Sequence, residues 1–213
     1  MKIAICPGSF DPVTKGHLDI IRRTASMFDR VIVVVMHNYH KPNSYFSAIE
    51  RVGLITRCVK DLDNVVVDMH DGLLAAYAQE KGAVAIVKGL RAVSDFDYEF
   101  QQALTNKKLN PNIETVFITA NSDYMYLSSS VVKQVCEFGG DISDFVPPEV
   151  HDDIVKRIRE RRRTMRMLLT DTQMDRLEAR FGANYQAPDR KLNAGDILIA
   201  FVLGLSFAAM LIL

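Results

Sequence analysis

Short runs of apolar, β-branched residues alternate along the chain with longer stretches in which apolar residues recur at helical spacing. A run such as Val31–Val35 is apolar at every position, which is typical of strands covered on both faces of a parallel sheet. The runs predict five strands: Lys2–Cys6, Val31–Met36, Val65–Asp68, Val84–Lys88 and Thr115–Thr119. The stretches between them predict helices at Gly16–Phe28, Ser47–Lys60, Leu73–Lys81, Asp95–Leu109 and Ser128–Phe138.

This alternation predicts an α/β fold, a doubly wound, Rossmann-like sheet of five parallel strands with a C-terminal helical extension. Pro147-Pro148 ends the α/β body, and a further helix is predicted from Glu149 to about Arg163. We expect the body over residues 1–160, a helical tether over 161–195 and a hydrophobic helix over 196–213. Open α/β sheets bind ligands beyond the carboxyl ends of their strands, so the loops that follow the strands are the place to look for chemistry.

The loop after the first strand combines two glycines with a helix start. Gly8 and Gly16 allow the backbone to come close to a ligand, and Thr14-Lys15-Gly16-His17 opens the next helix. Free N–H groups and the helix dipole favour a phosphate there, and an imidazole in the first turn can donate to a phosphoryl oxygen. A histidine that only caps the helix is the alternative, which the surrounding glycines and threonine make less attractive.

Two more loops carry groups suited to phosphates. Lys88-Gly89-Leu90-Arg91 ends the fourth apolar run, and a lysine at the edge of a buried sheet needs a partner, for which a phosphate is suitable. After the fifth strand, Ser128-Ser129-Ser130 opens a helix, although a plain N-cap needs only one serine. Asp95 and Asp97 are explained well enough as helix-start acids that complement the dipole.

Charge and cysteine content narrow the class of protein. Lysine plus arginine equals aspartate plus glutamate, 26 against 26, which argues against a nucleic-acid binder. Three scattered cysteines favour a reducing compartment and argue against a disulfide framework or a zinc site. His37 and His40 have no carboxylate or thiol nearby, so we expect no metal site. The N-terminus is too short for a signal-peptide core before its first turn, which predicts a cytoplasmic body.

Together these motifs resemble those of the bacterial phosphopantetheine adenylyltransferases, members of the T-x-G-H nucleotidyltransferase superfamily. The resemblance covers roughly residues 1–160. It rests on the loop from Pro7 to His17, on Lys88-Gly89-Leu90-Arg91-Ala92, on the Asp95–Glu99 stretch and on Leu127-Ser128-Ser129-Ser130. It implies transfer of AMP from Mg²⁺-ATP to 4′-phosphopantetheine, which gives dephospho-CoA and pyrophosphate in coenzyme A synthesis. Members are typically homohexamers, and Mg²⁺ arrives with ATP.

The resemblance also implies roles for individual residues. His17 would be catalytic, stabilising the transition state. ATP would be held by Ser9, Phe10, His17, Gly89, Leu90, Arg91, Glu99, Tyr124, Met125, Tyr126, Leu127, Ser128, Ser129 and Ser130. Phosphopantetheine would be held by Ser9, Lys41, Leu74 and Lys88. The family often has arginine where Lys88 stands, and the loop around Lys41 is a residue longer than in some members.

Two other functions compete with this one. A nicotinate- or glycerol-phosphate nucleotidyltransferase is the same-class alternative, and the Lys88–Glu99 segment argues against it. A non-catalytic nucleotide- or CoA-binding module tethered at a membrane is the other, and the intact His17, Arg91 and serine run argue against it.

The C-terminal residues depart from the family. Ile197–Leu213 carries no charge and as a helix would be roughly 25 Å long, near the lower limit for crossing a bilayer. Arg190 and Lys191 precede it, as expected for a cytoplasmic side, and Thr164–Phe181 has an amphipathic pattern suited to a tether. We expect attachment to the inner face of the cell membrane. The alternative is a helix packed on the body or between subunits, which would leave apolar side chains in water.

Overall fold

Five parallel strands form one sheet in the order β3-β2-β1-β4-β5 in a computed structural model, which describes residues 1–36 and 44–163 apart from the side chain of Ser94. The strands are β1 (Ile3–Gly8), β2 (Arg30–Met36), β3 (Val65–His70), β4 (Ala85–Leu90) and β5 (Glu114–Thr119). The helices are α1 (Lys15–Met27), α2 (Ala48–Cys58), α3 (Leu74–Glu80), α4 (Val93–Leu109), α5 (Ser129–Glu137) and α6 (151–163, the last described residues). Short 3₁₀ helices lie at Ser122–Tyr124 and Pro148–Val150.

Both faces of the sheet are covered, as the apolar runs predict. All of Val31–Val35 is buried, and alternate residues of β2 enter two different cores. Val31, Val33 and Val35 pack in the larger core with side chains of α1, α2, α5 and α6. Ile32 and Val34 pack in the smaller core with α3. The predicted doubly wound α/β fold is therefore confirmed.

Reciprocal side-chain caps fix the starts of the first two helices. Ser47 accepts from the Glu50 N–H, while the Glu50 carboxylate accepts from the Ser47 N–H at 2.8 Å, which is a capping box. Thr14 and His17 make the corresponding pair at the start of α1. The starts of α1 and α2 are thus specified locally, and α1 begins within one residue of its predicted position.

The sheet opens at its centre, where the strand order reverses. β1 pairs with β2 over its whole length, from Ile3 to Gly8. It pairs with β4 only through Ala4 and Ile5, so β1 and β4 separate toward their carboxyl ends. Such a crevice is the usual ligand site of doubly wound sheets. The predicted loops after β1, β4 and β5 all lie at this end.

Residues Met1–Arg162 form one compact unit. The tether and the hydrophobic stretch fall in residues 164–213, and Lys41, His37 and His40 fall in residues 37–43, all outside the described residues. Within the described part of the chain, the structure contains no helix with the length and apolar character needed to cross a bilayer. The three cysteines, Cys6, Cys58 and Cys136, are free and buried.

Candidate active site

A cleft of about 970 Å³ occupies the opening between β1 and β4. It is lined by the loop after β1, the end of β4, one side of α4 and the start of α5. The predicted site residues that line it are Ser9, Phe10, His17, Leu74, Lys88, Gly89, Arg91, Glu99, Tyr124, Leu127, Ser128, Ser129 and Ser130. Leu90, Met125 and Tyr126 belong to the same loops but do not line the cleft. Residues that are far apart in the sequence therefore meet at one opening.

The capping box of α1 determines which ring nitrogen of His17 carries the proton. The Thr14 N–H donates to His17 Nδ1 at 3.1 Å, and the His17 N–H donates to Thr14 Oγ1 at 3.3 Å. Because Nδ1 accepts a hydrogen bond, the proton of the neutral imidazole lies on Nε2. The histidine thus caps the helix and still keeps an N–H donor, so capping and phosphate binding are compatible.

His17 stays neutral well into the acid range. Burial of the ring and, to a smaller extent, the nearby positive charge of Arg91 together lower its pKa from 6.5 to about 4. The Phe10 ring meets the imidazole edge to face at 5.1 Å and helps to enclose it. At neutral pH the side chain therefore offers a neutral Nε2–H donor beside a cationic guanidinium.

We expect this pKa to appear in the pH dependence of stability. Between pH 6.5 and about 4 the unfolded chain protonates His17 while the folded chain does not, so acidification favours unfolding through this group. As the pH falls from 7 to 4.5, the free energy of unfolding of the wild type should fall more than that of His17→Asn, which urea titration measures. The carboxylates titrate in both proteins, so their effect cancels in the comparison. A difference in unfolding free energy that stays constant from pH 7 to 4.5 would contradict a lowered pKa of His17.

Gly8 is required by the position of the Phe10 ring. A Cβ added at Gly8 would lie 2.8 Å from Phe10 Cζ, and that ring is only 4% exposed. Gly8 also ends β1, so the backbone and the ring are both confined there. The reason for glycine at this position is therefore close packing and not backbone conformation, because Gly8 does not have a positive φ.

We expect Gly8→Ala to destabilise the protein by about 1–3 kcal/mol through overpacking and to reduce turnover, because Phe10 packs against His17. Gly53→Ala is a matched control, since Gly53 lies in α2 with no atom within 4 Å of an added Cβ. That change should stabilise the protein by about 0.5–1 kcal/mol. Thermal unfolding and initial rates measure both effects. Equal stability of the two variants would mean that Phe10 does not need this space.

Lys88 has a protein partner inside the cleft. Its Nζ lies 2.9 Å from Glu99 Oε2 and donates to Gln102 Oε1 at 3.4 Å. Both ion-pair side chains are largely buried, with 15% and 22% of their surfaces exposed. The contact with Glu99 is an ion pair without hydrogen-bond geometry. The sequence predicted a partner for Lys88 but did not identify this carboxylate.

Arg91 joins two of the loops that line the cleft. Its Nε and Nη2 bind the two Asp95 carboxylate oxygens at 3.0 and 3.1 Å, and its Nη1 donates to the Leu127 carbonyl at 3.1 Å. Asp95 is therefore more than an acid that complements the helix dipole, because it orients the guanidinium through a two-point contact. The four-residue spacing of Arg91 and Asp95 is compatible with such a contact. It was not predicted, because Asp95 was explained as an acid that complements the helix dipole.

The three serines have different partners. Ser128 caps α5 by accepting from the Val131 N–H at 3.1 Å, and Ser129 Oγ donates to the Pro12 carbonyl at 2.8 Å. Ser130 lines the cleft, is exposed, and makes no hydrogen bond to another described side chain. One serine thus starts the helix, one ties it to the β1–α1 loop, and one is available to a ligand.

The chain is similar to known proteins over most of its length. The sequence profile of the cytidylyltransferase-like family matches residues 5–135. A protein from Alkaliphilus metalliredigens named phosphopantetheine adenylyltransferase is 55% identical over 157 residues, which are 74% of this chain and 99% of that protein. One of the same name from Caldanaerobacter subterraneus is 52% identical over 160 residues, 75% of this chain and 99% of that protein.

Solved structures share the fold at much lower identity. A protein from Vibrio parahaemolyticus, described as a nicotinate-nucleotide adenylyltransferase, superposes with a TM-score of 0.54 at 19% identity, covering 74% of this chain and 96% of that one. A bifunctional NMN adenylyltransferase/ADP ribose pyrophosphatase from Francisella tularensis gives 0.55 at 16% identity, covering 87% of this chain and 57% of that one. These likenesses concern the fold alone.

Proposed function

The chain belongs to the phosphopantetheine adenylyltransferase family, and we propose that its cleft is where AMP passes from ATP to 4′-phosphopantetheine, giving dephospho-CoA and pyrophosphate. The observation that carries the proposal is the meeting of His17, Lys88 and Ser130 at the opening between β1 and β4. An imidazole N–H, an ammonium and a hydroxyl are all donors that suit phosphate oxygens.

The reaction requires little covalent chemistry from the protein. The phosphate of the acceptor is already a nucleophile; its oxygen attacks the α-phosphorus of ATP while the bond to the β-phosphate oxygen breaks and pyrophosphate leaves. Catalysis then rests on holding the two phosphates in line and on donors directed at the charge that develops. We assign His17 Nε2–H to the α-phosphate, since it is a donor that stays neutral at working pH.

The two substrates divide the cleft. Lys88, Ser9 and Leu74, which all line the cleft, are assigned to phosphopantetheine, with Lys88 on its phosphate and Lys41 as a further candidate. ATP is assigned to lining residues of the cleft, which are Ser9, Phe10, His17, Gly89, Arg91, Glu99, Tyr124 and Leu127–Ser130. Leu90, Met125 and Tyr126 do not line the cleft, and their assignment to ATP rests on the family resemblance alone. Arg91 supports this division, because it holds the Leu127 carbonyl next to the serine run.

Magnesium is proposed to enter with the nucleotide. Among residues 1–36 and 44–163, no group of three or more His, Cys, Asp or Glu side chains is arranged to hold a metal ion. The phosphate oxygens of ATP are suitable ligands for Mg²⁺. The proposed role of the cleft residues is to bind the Mg²⁺-ATP complex.

An exposed apolar stripe on α4 supports assembly into a homo-oligomer, for which we propose a hexamer. Phe96, Phe100 and Leu104 recur every four residues and are 40%, 43% and 56% exposed. Phe96 and Phe100 stack at 5.3 Å, and of the described α4 side chains only Asn106 is buried. A helix so little buried in its own chain is expected to contact another copy. Light scattering of the purified protein measures the assembly, and a monomer would contradict the proposal.

The proposed cellular location is the cytoplasm, with attachment to the membrane through Ile197–Leu213. We expect the full-length chain to sediment with membranes and to need detergent, while a chain ending at Arg163 stays in solution with the same kcat. That end point keeps Arg157 and Arg161, which donate to the Tyr45 and Ser44 carbonyls at 2.9 Å each. A full-length protein that needs no detergent would contradict the anchor. Loss of activity on truncation would place the removed residues in the fold.

One assay tests the proposed function itself. Purified protein incubated with Mg²⁺-ATP and 4′-phosphopantetheine should release pyrophosphate and form dephospho-CoA. A binding module would bind either compound without releasing pyrophosphate. Nicotinate mononucleotide and glycerol 3-phosphate as alternative acceptors test the related transferases, and preference for either over phosphopantetheine would overturn the assignment.

A further inference from the structure

A buried arginine lies behind the loop that follows β1. Arg51, near the start of α2, is 4% exposed and does not line the cleft. Its Nη1 donates to the Ser9 carbonyl oxygen at 2.6 Å, and its Nε donates to the Ser47 carbonyl oxygen at 3.3 Å. Burial lowers its pKa and the nearby Asp11 carboxylate raises it, and a guanidinium remains charged in either case. A charge is therefore held directly against the peptide between Ser9 and Phe10.

The trans geometry of that peptide determines the direction of the Phe10 N–H. The cis peptide of the described residues is Asp11-Pro12, so the bond from Ser9 to Phe10 is trans. In a trans peptide the C=O and the following N–H point in opposite directions. Since Arg51 holds the Ser9 oxygen on the protein side, the Phe10 N–H points away from Arg51. Both residues line the cleft, and no described residue accepts a hydrogen bond from this N–H.

Phe10 keeps this orientation although its backbone conformation is unfavourable. Phe10 has φ of 48°, in the left-handed region that side chains other than glycine rarely adopt. The next residue is fixed as well, because the Asp11 carboxylate accepts from the Tyr45 and Phe46 N–H groups and from Lys133 Nζ, at 3.0–3.1 Å. A strained residue that its surroundings hold in place is common where backbone groups bind a ligand.

We propose that Arg51 is a positioning residue, which turns the Ser9–Phe10 peptide so that the Phe10 N–H is directed at phosphate oxygens bound in the cleft. The inference rests on the proposed function and deepens it. The guanidinium also polarises the peptide, because a carbonyl that accepts from a charged donor makes the N–H of the same unit a stronger donor. Arg51 thus acts on a bound phosphate through one peptide unit, without touching it.

The competing explanation is that Arg51 only stabilises the fold, and the chain offers a control for it. Arg157 of α6 also donates to a backbone carbonyl, that of Tyr45 at 2.9 Å, and it pairs with Glu50 of α2. Its hydrogen bonds and its ion pair go to Tyr45 and Glu50 and not to the loop Ser9–Thr14. Arg157→Met therefore removes a guanidinium from the same neighbourhood and keeps the hydrogen bond from Arg51 to the Ser9 carbonyl.

The experiment compares Arg51→Met, Arg51→Lys and Arg157→Met in kcat, in both KM values, in the Kd for ATP from calorimetry and in the thermal unfolding midpoint. Rates are taken at a temperature where each variant is folded. We expect kcat of Arg51→Met to fall by about 10- to 100-fold, as for a donor displaced by an ångström or less. The Kd for ATP should change much less. Arg51→Lys should recover part of kcat, since an ammonium can still donate to the Ser9 oxygen.

Arg157→Met should lower the unfolding midpoint with kcat within about threefold of wild type, because one contact outside the loop is lost. Wild-type kcat in Arg51→Met, or equal losses of kcat in the two methionine variants, would overturn the inference. A wild type that releases no pyrophosphate would instead overturn the proposed function, and the inference with it. The two failures are thus distinguishable.

Discussion

Replacing His17 by alanine should reduce kcat by about 10²–10³-fold while the Kd for ATP changes little, because one donor directed at developing charge typically contributes that much. The structure gives a physical reason for the split between binding and turnover. The Nε2–H is neutral, since burial and Arg91 lower the pKa of His17 to about 4, so its attraction for the ground-state phosphate is modest. The attraction grows as charge accumulates on the α-phosphate oxygens in the transition state.

Thr14→Ala is the control for helix damage in this experiment. It removes the hydroxyl that caps α1, which should cost about 1 kcal/mol of stability, but it keeps the backbone N–H that donates to Nδ1. Its kcat should therefore remain much closer to wild type than that of His17→Ala. Single-turnover rates and calorimetric ATP binding measure both variants. Near-normal kcat in His17→Ala would remove this residue from the mechanism.

Lys88→Ala should raise the KM for phosphopantetheine sharply and also lower kcat. The substitution removes a cation from the acceptor phosphate, which then binds more weakly and sits less well in line for attack. It also leaves the largely buried Glu99 carboxylate without the ammonium that lies 2.9 Å away, and an uncompensated negative charge repels a phosphate. Both effects act in the same direction on the acceptor.

Two further variants separate these effects. The double variant Lys88→Ala with Glu99→Gln removes the repulsion and should recover part of the KM, while the loss of kcat remains. Lys107→Ala removes an exposed lysine on α4 that pairs with Glu114, and it should leave both KM values unchanged. Steady-state kinetics with each substrate varied in turn provides the comparison. A change confined to the KM for ATP would move Lys88 to the nucleotide site.

The fold could be predicted from the sequence because local patterns specify its strands and helices. β-Branched apolar runs, capping boxes at Thr14 and Ser47 and helical spacing place each element predicted between residues 1 and 163 within a few residues of its observed position. The strand ends were less well predicted. β1 and β4 continue to Gly8 and Leu90, beyond their apolar runs, because their partners Val35 and Thr119 extend the ladder. Strand length follows from pairing as well as from hydrophobicity.

The site was predictable as a set of loops but not as a set of contacts. Motifs and strand ends located His17, Lys88 and the serine run, which a doubly wound sheet brings to one edge. The pairing of Lys88 with Glu99 depends on how α4 lies over β4, which no local pattern encodes. Arg51 shares the buried face of α2 with Leu54 and Ile55, so a charged residue at this spacing is a signal that the sequence offers. Its target is not encoded locally, because the Ser9 carbonyl lies 42 residues away.

The burial of the cysteines has a consequence for an enzyme whose substrate and product both carry a free thiol. Cys6 lines the cleft, yet burial raises its pKa to about 12, and the pKa of Cys58 rises to about 12 for the same reason. Disulfide exchange requires a thiolate, and at neutral pH these side chains have almost none. Exchange with a disulfide form of the substrate needs a cysteine thiolate as the nucleophile, so we expect Cys6 and Cys58 to exchange slowly at neutral pH.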